Sequence, residues 1–316
     1  MNRDDVTWSG YWPAAPTPFT ADLELDEAAL AAMLQMYAGQ GVHGVLLNGS
    51  TGEWFAQSPA ERRRVTEVGV EAVAGRYPVV IGVSAFTAAE AAELARHAAA
   101  AGADGVLATV PPYAHPSPAE TLAFYREVSE ATDLPFMVYN WPRGVAVDLA
   151  QTPGLMSQLA DLPQVAAIKD STGDWNAMVA TIEAVAERVR VFGSLSHRRG
   201  LALMTGGLGG DGAIDGGGIG APYAVPFFEA AQAGDLKTAR TWVERYQKLS
   251  AGMIAPDYSG RFASPISQLK AAMNLLGQPG GGAVRPPLLP VTDPELLQQI
   301  TAVLTEAGFT PLAQEA

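Results

Sequence analysis

Short apolar runs recur along the chain at fairly even intervals. Val45-Leu46-Leu47, Val79-Val80-Ile81, Val106-Leu107-Ala108, Phe136-Met137-Val138-Tyr139, Val165 to Lys169, Val189 to Phe192 and Ala213-Ile214 all have strand length. Tyr11 to Phe19 supplies an earlier candidate. Between these runs the apolar positions take helical spacing. Leu30, Met33, Leu34 and Tyr37 fall at i, i+3, i+4 and i+7, with Gly39 as the expected C-terminal stop. Ser58-Pro59-Ala60-Glu61, Thr87-Ala88-Ala89-Glu90 and Ser117-Pro118-Ala119-Glu120 read as capping boxes, two with proline at the first helical position.

Each capping signal follows a strand candidate by a short loop. Eight strand–helix alternations within residues 1–232 predict an α/β fold, a (β/α)8 TIM barrel. A doubly wound open sheet is the competing architecture, but no Gly-x-Gly-x-x-Gly follows the first strand. Beyond residue 232 the rhythm changes. Patterns near 235–250, 262–276 and 294–306 are helical with no strands between them. Residues 233–316 are therefore expected to form a C-terminal helical extension, packed on the catalytic barrel or used in oligomer contacts.

Charge and composition narrow the partners. The 33 acidic residues outnumber the 20 basic ones, for a net charge of −13. Such a surface argues against nucleic acid or anionic membrane, though local groups can still capture a small anion. There is no cysteine, which excludes disulfides and thiolate chemistry. His43, His97 and His115 lack metal-ligand spacing, so no metal site is expected. The start, Met1-Asn2-Arg3-Asp4-Asp5, is polar, and no apolar stretch approaches the roughly 18 residues of a membrane span. The chain reads as soluble and cytoplasmic.

In a parallel barrel the strand C-termini open onto one face, where active sites are built. Three segments place reactive groups there. Asn48-Gly49-Ser50-Thr51-Gly52-Glu53 follows the second strand candidate, and its amides and hydroxyls can converge on a carboxylate. Tyr139, before Asn140-Trp141-Pro142, ends the fifth strand with a phenol. Lys169, before Asp170-Ser171-Thr172-Gly173-Asp174, ends the sixth. A lysine so placed can snorkel to solvent. If it is instead stripped of water, the neutral amine is favoured and can form a Schiff base with a carbonyl. An amine, a proton-shuttling phenol and a hydroxyl–amide cradle together describe a site for an α-keto acid.

These motifs, with Pro111-Pro112-Tyr113 and the distal Arg285-Pro286-Pro287-Leu288, resemble the pyruvate-dependent class I aldolase family. That family contains N-acetylneuraminate lyase and dihydrodipicolinate synthase. The likeness runs from about Pro13 to about residue 300. It implies that Lys169 is the Schiff-base lysine, that Tyr139 transfers protons, and that Thr51 links to that tyrosine. Ser50 and Thr51 would bind the carboxylate. Gly49, Tyr113, Trp141, Gly193, Arg198, Ile214 and Asp215 complete the expected substrate-lining set. The resemblance further implies no metal or organic cofactor and a homo-oligomer, usually a tetramer.

Departures from the family pattern fall on the acceptor side. Dihydrodipicolinate synthases carry a second tyrosine after the one matching Tyr113 and an arginine two residues past the proline matching Pro142. Ala114 and Gly144 stand here, and both count against that activity. Neuraminate lyases have a serine after the eighth strand, where this chain reads Gly212-Ala213-Ile214-Asp215-Gly216. They place an acidic pair after the seventh, where this chain has Gly193-Ser194-Leu195-Ser196-His197-Arg198-Arg199. A basic cluster opposes the helix dipole at a helix start, which hints at an anionic ligand for Arg198 or Arg199. Trp54, Trp141 and Trp175 each flank a site motif and suggest an apolar or aromatic acceptor. The expected function is reversible aldol addition or cleavage between pyruvate, or a 2-keto-3-deoxy acid, and an aldehyde. Dehydration of a keto-deoxy sugar acid through the same imine is the enzymatic alternative, and a catalytically silent binding homologue the non-enzymatic one.

Overall fold

The computed structural model describes residues 1–312. Eight parallel strands, β1 (Gly10–Ala14), β2 (Val45–Leu47), β3 (Val79–Gly82), β4 (Gly105–Ala108), β5 (Phe136–Asn140), β6 (Val165–Asp170), β7 (Arg190–Phe192) and β8 (Gly212–Gly216), close in sequential order, β8 pairing back onto β1. The helices between them are α1 (Glu27–Gly39), α2 (Pro59–Val73), α3 (Ala88–Ala101), α4 (Pro118–Ser129), the single turn α5 (Pro142–Val145), α6 (Leu155–Ala160), α7 (Trp175–Val185) and α8 (Arg198–Thr205). After β8 come α9 (Ala221–Gln232), α10 (Leu236–Met253), α11 (Pro265–Leu275) and α12 (Pro294–Glu306). The (β/α)8 barrel with a C-terminal helical part is the architecture that the apolar spacing predicts.

The strands are buried on both faces, so their side chains divide into two apolar clusters by the two-residue period. Trp12, Leu46, Val80, Leu107, Met137, Tyr139, Phe192 and Ile214 fill the barrel interior. Tyr11, Val45, Leu47, Val106, Val138 and Ile168 pack outward against the helices. One irregularity breaks the alternation. Phe136 pairs with Val165, but Met137 pairs with Ala167, so β6 carries an extra residue at Ala166. Ala166 and Ala167 accordingly both belong to the interior cluster. This bulge brings Lys169 into register with Tyr139. Without it Ile168 would hold that position and the lysine would point into the helix layer, since a one-residue slip exchanges the faces.

Ser58 and Ser117 form complete capping boxes with Glu61 and Glu120. Thr87 accepts the Glu90 amide without the return bond. The first helix stops at Gly39, as the spacing predicts. That glycine is the last residue of α1, and the chain turns at Gly41, whose φ is +71°. Helix α10 packs along α9, and α12 rests on α10 and α11.

Candidate active site

Tyr139 and Lys169 are cross-strand neighbours at the C-terminal mouth of the barrel. Lys169 is 6% exposed, and its Nζ sits 4.0 Å from the centre of the Tyr139 ring. Among the described residues this ammonium has no carboxylate or hydrogen-bond partner. The Tyr139 ring face is the partner it has, in a cation–π contact. The Tyr139 hydroxyl is likewise uncommitted among the described residues. An amine and a phenol are thus held together and left free to react.

The residues flanking this pair are fully committed, and the motif reading assigned them no role. The buried Asp170 carboxylate accepts hydrogen bonds from Asn140 Nδ2 (2.9 Å), the Thr172 amide (3.0 Å) and Thr181 Oγ1 (2.9 Å). Asn140 also donates to Asp148 at 2.8 Å and accepts from the Leu149 amide. Burial raises the Asp170 carboxyl above its usual value despite these donors, with Asp148 nearby adding repulsion. The network ties β5, β6 and α7 together directly behind the reactive pair. Asn140 and Asp170 stand inside the Tyr139 and Lys169 motifs, whereas nothing local marks Asp148 or Thr181.

The loop after β2 is pinned from several sides. Asn48 lies at φ +51°, and its Nδ2 donates to the Arg62 carbonyl at 2.8 Å. The Asn48 carbonyl passes so close to Gly82 that a Cβ there would lie 2.2 Å from its oxygen. Thr17 Oγ1 and Gln57 Nε2 both donate to the Gly52 carbonyl, at 2.7 and 2.6 Å. Glu53, completely buried, pairs with the equally buried Lys270 at 2.6 Å and accepts the Arg285 amide at 3.0 Å. Lys270 also donates to the carbonyls of Thr17 and Ala283. Burial pushes the Lys270 amine down, and Glu53 opposes that shift. Arg285 continues the strap to Ala56 and Glu61, holding the Glu61 carboxyl down at about 2. Thus α11 and the segment after it clamp the loop. The amides of Ser50 and Thr51, by contrast, meet no acceptor among the described residues. Together with the two hydroxyls they form an open donor set, and Thr51 Oγ1 lies beside Gly216 at the end of β8.

The expected acceptor-side residues divide. Trp141 stacks on Tyr139, centroids 6.0 Å apart and planes 13° from parallel. Ile214 faces the barrel interior. Asp215 does not line the barrel. As the neighbour of Ile214 it points outward, accepting Ser196 Oγ at 2.8 Å and the Tyr246 hydroxyl at 2.6 Å. Gly193 also faces the helix layer, where a Cβ would meet Met178 at 2.7 Å. Arg198 is turned to solvent, 67% exposed and paired with Glu244. Arg199 lies 5.9 Å from the Trp175 ring, which also packs on His197, the N-cap of α8. Burial lowers the His197 imidazole. Trp54 packs against Phe86 and Arg62, away from Trp141. Tyr113, at φ +73° and 92% exposed, stands clear of the pocket. Tyr258, which no motif marked, stacks on Arg143 at 4.4 Å and brings the C-terminal extension to the rim.

A cavity of about 310 Å³ lies at the opposite end of the barrel, lined by Ser9, Arg190, Asp211 and Gln232. Its charges are already satisfied, since Asp211 pairs with Arg190 at 2.8 Å and Arg3 at 2.9 Å. Among the described residues no cluster of three or more histidines and carboxylates is placed to hold a metal ion.

The profile of the Dihydrodipicolinate synthetase family matches residues 7–307. The chain belongs to that family. It is 34% identical to the 4-hydroxy-tetrahydrodipicolinate synthase of Phenylobacterium zucineum, over 96% of this chain and 99% of that one. It is 31% identical to the probable 2-dehydro-3-deoxy-D-pentonate aldolase YjhH of Escherichia coli, again over 96% and 99%. The crystal structure of YagE, a family member from E. coli K12 in complex with pyruvate, superposes with a TM-score of 0.86 at 28% identity, covering 96% of this chain and all of that one. Like these synthases and aldolases of the Dihydrodipicolinate synthetase family, the chain is an enzyme of the class I pyruvate aldolase type.

Proposed function

We propose that the enzyme catalyses reversible aldol addition or cleavage between pyruvate, or a 2-keto-3-deoxy acid, and an aldehyde, through an imine on Lys169. The carrying observation is the unpaired Lys169 amine, buried 4.0 Å over the ring of Tyr139. The amine attacks the C2 ketone of pyruvate, and loss of water gives a protonated imine. That cation withdraws electrons, so a C3 proton leaves and an enamine forms. The enamine carbon attacks the aldehyde, whose oxygen takes up a proton, and water then releases the product and the free lysine. Tyr139 moves the protons, coupled to Thr51. Ser50 and Thr51, with their free amides, hold the carboxylate, in the manner of a backbone anion nest.

Borohydride reduction in the presence of pyruvate, read by mass on the Lys169 peptide, tests this assignment. The expected result is a reduced pyruvate adduct on that lysine and no other. Absence of the adduct at saturating pyruvate would sink the reading in favour of a silent binding homologue. We also propose that the enzyme is cytoplasmic and works as a homo-oligomer. Two features support this: no helix among the described residues is long and apolar enough to cross a membrane, and Tyr113 and Phe86 offer exposed aromatic surface to a second copy.

A further inference from the structure

Gly144 and Trp141 occupy one space. A Cβ on Gly144 would fall 2.0 Å from both Cε3 and Cζ3 of the Trp141 indole, so the ring lies where any side chain at position 144 would begin. The indole also stacks on Tyr139, and Lys169 Nζ sits over that same phenol ring. Lysine, phenol and indole therefore form a continuous series from the amine outward to the rim. Trp141 is only partly buried and packs against both the interior and the outer apolar clusters, leaving part of its surface open at the mouth.

Three polar groups of the acceptor side are engaged elsewhere. Asp215 points out of the barrel and holds Ser196 and Tyr246. Arg198 is paired with Glu244 on the surface, and Arg143 lies on Tyr258. Beyond the amine and the phenol, the indole is an apolar surface left partly open at the mouth. A flat apolar surface gains from a flat apolar partner and cannot replace the water around hydroxyl groups.

We propose that Trp141, given its place by Gly144, is the specificity wall of the acceptor subsite and selects aldehydes bearing a planar aryl group over polyhydroxylated ones. The inference rests on the Lys169–pyruvate reading. In the reaction the pyruvate-derived enamine forms a carbon–carbon bond to the aryl aldehyde, and the aldehyde oxygen takes the proton. Hydrolysis of the imine then gives a 4-aryl-4-hydroxy-2-oxo acid and free enzyme.

The test compares kcat/KM for benzaldehyde and for glyceraldehyde, each with pyruvate, in the wild type and in Trp141→Phe, Trp141→Ala and Gly144→Ala. The wild type should favour benzaldehyde by about two- to tenfold, the size of effect one aromatic contact supplies. Trp141→Phe should keep most of that ratio, and Trp141→Ala should lose it. Gly144→Ala, which displaces the ring without removing it, should fall between them. Preference of the wild type for glyceraldehyde, or an unchanged ratio in Trp141→Ala, overturns the proposal. Pyruvate trapping on wild-type Lys169 separates the two levels: an adduct with the wrong preference removes only the specificity inference, and no adduct removes both.

Discussion

The inner and outer halves of the site commit their polar atoms in opposite ways. Around Lys169 every flanking group is held: Asp170 takes three donors, and Glu53 is clamped between Lys270 and the Arg285 amide. The held groups leave free one amine, one phenol, two hydroxyls and two amides. On the outer side Asp215 holds Ser196 and Tyr246, Arg198 pairs with Glu244, and an indole remains. A rigid polar frame suits a constant reaction on one keto acid, because preorganised donors need not reorient as charge develops. An aromatic rim adjusts what is accepted without touching that frame.

The comparison breaks most sharply at Lys169. Lys169→Ala should abolish the pyruvate adduct and lower kcat by about 10⁴-fold or more, as removal of a covalent nucleophile does in other enzymes. Next is the frame itself. Lys270→Met strands the buried Glu53 carboxylate and should cost about 3–5 kcal/mol in denaturant unfolding. The double variant Glu53→Gln with Lys270→Met should recover part of that loss, because the uncompensated charge is gone. Tyr139→Phe should reduce kcat by about 10²-fold, the usual contribution of a proton-transfer group, with the loss visible in single-turnover formation of the imine.

On the rim side the expected effects are smaller. Tyr246→Phe removes one of the two donors to Asp215 and should destabilise the chain by about 1–2 kcal/mol. The smallest effect is the acid response of the Glu61–Arg285 strap. Its carboxyl titrates at about 2 when folded, against 4.5 when unperturbed. A depressed carboxyl stabilises the folded state above the unperturbed value, and that contribution fades as pH falls from about 4.5 toward about 2. The melting temperature of Arg285→Met should therefore lose less than that of the wild type across this interval.

Much of the fold was legible because its signals are local. Apolar runs and caps such as Ser58 and Ser117 depend on neighbours a few residues away, and the strands lie where the runs do. The helix stop at Gly39 was equally local, though the left-handed turn that follows falls on Gly41, a choice between two nearby glycines that spacing does not decide. In the site, Lys169, Tyr139 and the Ser50–Thr51 loop were readable as motifs at strand ends. The partners that hold them were not. Lys270 is more than 200 positions from Glu53 in the chain. Asp215 was expected in the pocket, yet the parity of β8 turns it outward once Ile214 faces in.

The sequence alone determines a (β/α)8 barrel, the strand ends that bear an amine, a phenol and a hydroxyl loop, and a rebuilt acceptor side. The first two follow from periodicity and residue chemistry and the last from departures from the family's pattern, none of which needs knowledge of distant contacts. Only the tertiary structure decides which way each strand-end side chain points. The extra residue at Ala166 turns Lys169 toward Tyr139, and β8 parity turns Asp215 away. Facing is a matter of register between strands, and register is fixed by packing across the whole barrel.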